Sequence, residues 1–156
     1  MNAFPVSRLD VPTTLLAGMS VVTCLERTSV DCPALWQSFG PRIVELPPPP
    51  AGASGAYGIS VMLTDTTFEY RAAVETGPVG SLPEGLAPFT LPGGLYAQCT
   101  VPHLGALQDA YRFLFETWLP AQEDCRYNPD APTFERYPPD WRLESPFTIH
   151  AGLLLR

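Results

Sequence analysis

The stretch "VPTTLLAGMSVV" (residues 11–22) aligns with "LPGGLYAQCTVP" (residues 91–102) when the chain is shifted against itself by about 80 residues. The alignment brings like residues together: Pro12 with Pro92, Leu15 with Leu95, Ala17 with Ala97, and Val21 with Val101. Both segments alternate apolar and mixed positions, which is the period of a strand with one face on a core. Because the shift is close to half of the 156 residues, the sequence indicates an internal duplication.

Other segments agree on nearly the same shift. "FEYRAAVE" (68–75) aligns with "FTIHAGLL" (147–154), and both alternate as strands do. Tyr57 falls opposite Tyr137, and at this offset the counterpart of Glu135 is Gly55. The duplication therefore extends through most of the chain.

One helix in each half completes the pattern. Apolar residues recur at steps of three and four from 104 to 118 and predict a helix that Pro120 ends: Leu104, Leu107, Tyr111, Leu114, Trp118. "DCPALWQSFGP" (31–41) predicts the matching helix of the first half. We expect an α+β fold in a single domain, 1–156, with βαββ repeats at about 5–76 and 88–156. A pseudo-twofold axis would relate the repeats, with an antiparallel sheet, helices on one face and a central ligand cleft.

Composition excludes several classes of protein. Hydrophobic content of 46% with 16% charged residues argues against disorder, and a formal charge of -7 argues against nucleic-acid binding. No signal peptide is recognised, and no apolar run approaches the ~18 residues of a membrane span. The four cysteines form no Cys-x-x-Cys pair, so we predict reduced thiols, no metal site, no cofactor and a cytoplasmic location.

"PTFERYPPDW" (132–141) places one carboxylate in a short aromatic strand bounded by prolines. Alternation puts Glu135 and Tyr137 on one face and Arg136 on the other. A surface strand would read the same way. The two histidines, His103 and His150, stand far apart without a serine or cysteine motif, and we interpret both as lone polar residues.

The order of the motifs "LWQSF", "YGIS", "FEYRAAVE", "LPGGLYAQCTVPHLGALQDAYRFLFETWLP" and "FERY" resembles the GyrI-like effector-binding family over roughly residues 5–156. That family includes the ligand-binding domains of AraC-type and MerR-type multidrug regulators and free-standing small proteins. If 156 residues are the whole protein, no room remains for a helix-turn-helix domain, and we expect a stand-alone binding protein.

The resemblance implies a central cleft for bulky aromatic, often cationic molecules. It implies that Glu135 forms the floor of the cleft with Tyr137 beside it. It also implies that aromatic side chains line the walls: Trp36, Tyr57, Tyr96, Trp118. Ala73 replaces a family glycine and is expected to reshape one end of the site, and the proline-rich stretch 46–56 either closes over the cleft or connects elements.

A buried carboxylate among rings needs a partner, because desolvation disfavours its charged form. An incoming lipophilic cation would supply a charge for Glu135 and an apolar body for the rings, and the hydroxyls of Tyr137 and Tyr57 are expected to hydrogen-bond the acid or the ligand. The leading hypothesis is a drug-binding, sequestering or sensing protein, with a homodimer or a regulator or transporter as further partners.

Two alternatives stay open. Some free-standing relatives hydrolyse cyclopropane rings in DNA-alkylating natural products, and in such an enzyme Glu135 would act as general base with Tyr137 or Tyr57 as proton donor. The protein could instead work only as a partner of another protein, without a ligand of its own.

Overall fold

The computed structural model describes residues 4–47 and 55–156. The predicted loop 46–56 therefore falls largely outside the described residues. The strands are β1 (Val6–Val11), β2 (Thr14–Cys24), β3 (Ala56–Met62), β4 (Thr67–Glu75), β5 (Ala87–Leu91), β6 (Gly94–Val101), β7 (Cys125–Tyr127), β8 (Thr133–Tyr137) and β9 (Phe147–Leu155). The helices are α1 (Thr28–Phe39), followed by a 3-10 segment Gly40–Glu45, and α2 (Leu107–Arg112).

The sheet has the strand order β1-β6-β9-β8-β3-β4-β2-β5, with β7 paired beside β9. Exchanging β1 with β5, β2 with β6, β3 with β8, and β4 with β9 gives the same order read from the opposite edge, as a twofold axis requires. The prediction of two related βαββ units in an antiparallel α+β sheet is therefore confirmed. One further strand precedes each unit and pairs with a strand of the other unit, where it forms an edge of the sheet. β1 pairs with β6, and β5 pairs with β2.

The pseudo-twofold axis passes between β3 and β8. In this pair Glu135 lies opposite Gly58, and Tyr57 lies opposite Arg136. The offset of 80 is out of register by an odd number of residues in these two strands, because Tyr57 and Tyr137, which it aligned, lie on opposite faces of the sheet. An odd shift moves a side chain to the other face of a sheet, which decides where Tyr57 points.

Both helices pack on one face of the sheet. α1 covers the first half over a cluster that includes Leu35, Phe39 and Tyr70, and α2 covers the second half over Leu114 and Ile149. A third cluster fills the helix-free face: Leu16, Tyr57, Ile59, Ala73, Leu91, Tyr96, Phe134. Two buried faces explain why apolar residues occupy both alternating positions of the central strands.

The second helix changes its winding along its length. The predicted span 104–118 begins with a 3-10 turn, Leu104–Ala106, continues as α2 and then becomes a π-helix, Phe113–Trp118. A final 3-10 turn, Leu119–Ala121, contains Pro120, the residue predicted to end the helix. The wider π turn rotates the last residues away from the stripe of a regular α-helix.

Two further findings bear on class. Among the described residues, no helix combines the length and apolar character that crossing a bilayer demands. All four cysteines, Cys24, Cys32, Cys99 and Cys125, are free thiols.

Candidate functional site

Glu135 lies on β8, next to the pseudo-twofold axis, on the face that the helices cover. Only 6% of the residue is exposed, although carboxylates are almost never buried without partners. Tyr137, two residues further along the strand, shares this face, whereas the side chain of Arg136 points to the other face. The alternation predicted for "PTFERYPPDW" therefore places the acid inside the molecule.

Three tyrosine hydroxyls donate hydrogen bonds to the Glu135 carboxylate. Tyr137 donates to Oε1 over 2.6 Å and Tyr70 to the same atom over 3.3 Å, while Tyr111 donates to Oε2 over 3.0 Å. The donors come from β8, β4 and the α2 helix, so both repeats contribute. These bonds replace part of the hydration that burial removes from the carboxylate.

The first helix completes the surroundings. Trp36 Nε1 donates to the hydroxyl of Tyr70 over 3.0 Å, and the Trp36 ring meets Tyr137 edge-on with ring centroids 6.2 Å apart. Cys32 lies one helical turn before Trp36, close enough that Glu135 contributes to its electrostatics. The site is thus closed by side chains from α1, α2, β4 and β8.

Gly58 forms the floor beneath the acid. A Cβ atom at this position would lie 2.2 Å from the Tyr70 hydroxyl and 2.9 Å from Glu135 Oε1. Such contacts are far inside van der Waals distance, so only glycine leaves room for both side chains. Glu135 on β8 therefore requires glycine at the position opposite it on β3.

The electrostatics follow from burial and the hydroxyl donors. Burial raises the pKa of Glu135, and the hydrogen bonds from Tyr137, Tyr111 and Tyr70 lower it in part. Burial, and then the charge of Glu135, raise the pKa of all three tyrosines, which stay protonated donors. Burial and the same charge raise the pKa of Cys32 to about 12, so this thiol is not a nucleophile.

Glu135 takes part in none of the ion pairs formed within the described residues. Its partners there are neutral hydroxyls, which stabilise a negative charge without cancelling it. A buried carboxylate with neutral donors and an aromatic surround can accept a positive charge from outside the chain.

Further rings extend the aromatic surround beyond Tyr137. Trp141, in the loop between β8 and β9, lies 4.7 Å from Tyr137 between ring centroids, and Phe147 lies 5.0 Å from it. Trp141 Nε1 donates to the carbonyl of Ser145, which ties the loop across its own base. The aromatic surround of Glu135 therefore continues to the surface along this loop.

The predicted site residues separate into three places. Glu135, Tyr137 and Trp36 come together as described. Tyr57 and Tyr96 pack with Phe134 in the helix-free cluster, on the opposite face from the acid, so the expected bond from Tyr57 to Glu135 is wrong. Trp118 packs against the α2 cluster, in the π-helical turn.

Two tyrosines were missed as site residues. Tyr70 and Tyr111 occupy positions that the sequence predicts to be apolar and buried, where phenylalanine would serve as well. A tyrosine on a buried stripe needs a partner for its hydroxyl, and this is the signal that could have identified them. Ala73, expected to reshape the site, also lies on the helix-free face.

The helix-free face carries its own buried ionisable group. His150, 1% exposed, stacks flat on Phe134 at 4.2 Å, and its Nε2 atom lies 3.1 Å from Oε1 of Gln98. Burial lowers the pKa of His150 to about 4, so the ring is neutral at physiological pH. His103, the other histidine, lies at the surface, beside a depression.

Two surface depressions, of about 320 Å³ and 630 Å³, lie elsewhere. The first is lined by Gln98, Arg136 and Thr148 of the helix-free face, and the second by His103 and Leu143. Neither includes Glu135. At the predicted cleft, Glu135 is 6% exposed and is enclosed by the side chains of Tyr70, Tyr111 and Tyr137.

Comparison with known proteins identifies the family. Residues 10–149 match the Cass2 family of integron-associated effector-binding proteins, and the chain belongs to this family. The resemblance to GyrI-like effector-binding domains is thereby confirmed. No curated protein matches the chain.

Solved structures share the fold. An integron cassette protein from the mobile metagenome of Vibrio cholerae has a TM-score of 0.69 at 15% identity, covering 98% of this chain and 97% of that one. SAV2435 bound to tetraphenylphosphonium has a TM-score of 0.74 at 14% identity, covering 97% and 94%. The EcmrR C-terminal domain has a TM-score of 0.64 at 14% identity, covering 98% and 99%.

Proposed function

We propose that this member of the effector-binding family binds bulky aromatic cations, with Glu135 as the counter-charge and the surrounding rings as the walls. The observation that carries the proposal is the buried carboxylate held by three neutral tyrosine hydroxyls without a cation among its partners in the described residues. The protein would act as a drug-binding, sequestering or sensing protein.

The energetics favour a ligand that is both charged and aromatic. A cation over a desolvated ring gains about 0.5–2 kcal/mol for each contact. Tyr111, Tyr137, Trp36 and Trp141 can each offer a ring. A neutral aromatic ligand would gain the same apolar contact but leave the charge of Glu135 unpaired, so the site would discriminate by charge more than by shape.

Binding requires the rings above Glu135 to move apart. The side chains around the acid lie on separate elements, α1, α2, β4 and β8, and are joined by one edge-on ring contact and single hydrogen bonds. Such contacts can be exchanged for contacts with a ligand one at a time. Permissive binding of differently shaped cations follows from this.

A neighbour of the same fold supports the ligand class. SAV2435 was solved with tetraphenylphosphonium, a lipophilic cation with four phenyl groups. We expect this chain to bind the same compound, since its buried acid and rings offer a counter-charge and an apolar enclosure.

Calorimetric titration with tetraphenylphosphonium, and with neutral triphenylphosphine oxide as the matched ligand, tests the proposal. We expect measurable affinity for the cation and at least about 10-fold weaker binding of the neutral compound, a difference of about 1.4 kcal/mol. Equal affinity for both compounds, or no binding of either, would refute it.

The alternatives of hydrolysis and of a ligand-free protein partner remain predictions. Mass spectrometry of a cyclopropane-bearing electrophile after long incubation distinguishes catalysis from binding, because an enzyme would add water to the ring. Recovery of the unmodified compound would remove the hydrolase hypothesis. Capture of a regulator or transporter that does not depend on added cation would favour the third hypothesis.

A further inference from the structure

The two repeats differ in how completely their outer strands are covered. β1 pairs with β6 from Gly94 to Cys99, and the carbonyl of Pro5 accepts a further bond from Thr100. β5 pairs with β2 only from Thr14 to Gly18. Among the described residues, the rest of β2, residues 19–24, has a paired strand on one side only, β4.

The backbone of this segment presents hydrogen-bonding groups outward. Thr76 donates to the carbonyl of Leu15, so the odd-numbered residues of β2 direct their N–H and C=O groups toward β4. The even-numbered residues Ser20 and Val22 then direct both groups away from β4, whereas the outward carbonyl of Cys24 already accepts a bond from the N–H of Arg27. Ser20 and Val22 are exposed, with 59% of Val22 accessible, which agrees with an open edge.

The composition of the edge is unusual for an exposed strand. Natural proteins protect open edges with lysine, proline or a bulge, whereas residues 19–24 read "MSVVTC" and carry no charge or proline. The nearest acid across β4 is Glu69, opposite Val22, and it is held in an ion pair with Arg71. Asp31 of α1, which accepts a bond from the Thr23 hydroxyl, is likewise held in an ion pair, with Arg27. The side chains of residues 19–24 themselves are uncharged, within a chain whose net charge is -7.

We propose that the β2 edge, residues 19–24, is a dimer interface at which a second copy of this chain pairs antiparallel, centred on Val22. Such pairing places Val22 opposite its own copy and Ser20 opposite Cys24 of the second copy. All of these side chains are small and uncharged, so two chains of net charge -7 meet without like charges facing one another in the strand pair.

The second copy fits this edge better than an unrelated strand does. A twofold axis through Val22 satisfies the outward groups of both copies with one interface, and it removes the open edge of each chain. Val22 would donate to and accept from its counterpart, and on either side the N–H of Cys24 in one copy would donate to the carbonyl of Ser20 in the other. Leu25, which is 81% exposed at the end of the segment, would extend the apolar contact.

Substitution of Val22 tests the interface. Sedimentation of the wild-type chain should show a dimer at micromolar concentration, and Val22→Lys should sediment as a monomer with an unchanged circular dichroism spectrum. Val22→Pro should also be monomeric and folded, because it removes an N–H that β4 does not use. Leu143→Lys, at a 65% exposed position away from the edge, serves as the matched control and should stay dimeric.

Cross-linking tests the register. In the Cys24→Ser background, Val22→Cys should form a disulfide dimer under mild oxidation, since paired residues lie about 5.5 Å apart between Cα atoms. Leu143→Cys in the same background should not. A wild-type chain that remains monomeric to hundreds of micromolar, or a dimer that survives Val22→Lys, would overturn the proposal.

Discussion

Glu135 and His150 are both buried on neighbouring central strands, yet they lie on opposite faces of the sheet and in different surroundings. Glu135 accepts three hydrogen bonds from tyrosines on three separate elements. His150 lies flat on Phe134 and contacts one amide, Gln98. Burial raises the pKa of the acid and lowers the pKa of the base.

The difference shows how a buried acid can remain able to ionise and to bind a cation. The donors around Glu135 stabilise its ionised form, so the acid can still meet a cation. Around His150, burial favours the neutral ring more than the backbone hydrogen bond with Phe134 favours the charged one, and Arg136 adds repulsion. Burial alone therefore does not mark a site, whereas polar donors gathered from several elements do.

Acid should destabilise the protein through His150, and this is the largest effect we expect. A base whose folded pKa is lowered contributes stability above its ordinary pKa and loses it as the pH falls toward the folded value. Between pH 6.5 and about 4 the loss should reach about 3 kcal/mol. Urea unfolding of wild type and His150→Gln across this window measures it, and parallel curves would contradict the assignment.

Substitution of Gly58 should remove the floor of the site. Gly58→Ala places a Cβ atom on the Tyr70 hydroxyl, so Tyr70 must leave Glu135 and Trp36, at a cost of about 1–3 kcal/mol in unfolding free energy. Gly40→Ala is the matched control, because no atom lies within 4 Å of its added carbon. Thermal unfolding should show that Gly58→Ala is less stable than Gly40→Ala. Equal stability would show that Tyr70 can move aside without cost.

Neutralising the acid should stabilise the empty protein. An acid whose folded pKa is raised contributes stability at low pH and loses it as the pH rises through the folded value. Glu135→Gln should therefore raise the unfolding free energy at pH 8 by about 1–2 kcal/mol and have little effect near pH 4.5. Glu116→Gln, at an exposed acid, is the control and should not change stability at either pH.

Removing one donor should have the smallest effect. Tyr137→Phe deletes the 2.6 Å bond to Glu135, so the pKa of the carboxyl should rise further. The pH at which cation affinity reaches half its maximum should shift upward with it. An unshifted midpoint, with the variant folded, would show that Tyr137 does not stabilise the charge.

The fold could be predicted because the duplication repeats both the strand period and the helix positions. A strand or helix that is clear in one repeat therefore predicts the matching element in the other. The acid and its neighbour Tyr137 could be predicted from alternation within one strand. Tyr57 could not, since its face depends on the register in which the repeats align at β3 and β8, and an odd shift reverses it.

The other gaps have similar causes. Tyr111 belongs to a predicted apolar stripe, and the stripe does not tell which of its members contacts a buried acid. Tyr96 lies on a face that the sequence does not distinguish from the helix-covered one, because both faces of the central strands are buried. Those features depend on packing between elements far apart in the chain.

The affinity for tetraphenylphosphonium as a function of pH, measured for the wild type and for Glu135→Gln, tests the central claim most directly. If Glu135 is the counter-charge, affinity should rise with pH as the carboxyl ionises, and at pH 8 the variant should bind about 100-fold more weakly, or about 2.7 kcal/mol. The affinity of the variant should not depend on pH. Wild-type binding that is flat across pH, or a variant that binds as tightly at pH 8, would contradict the account.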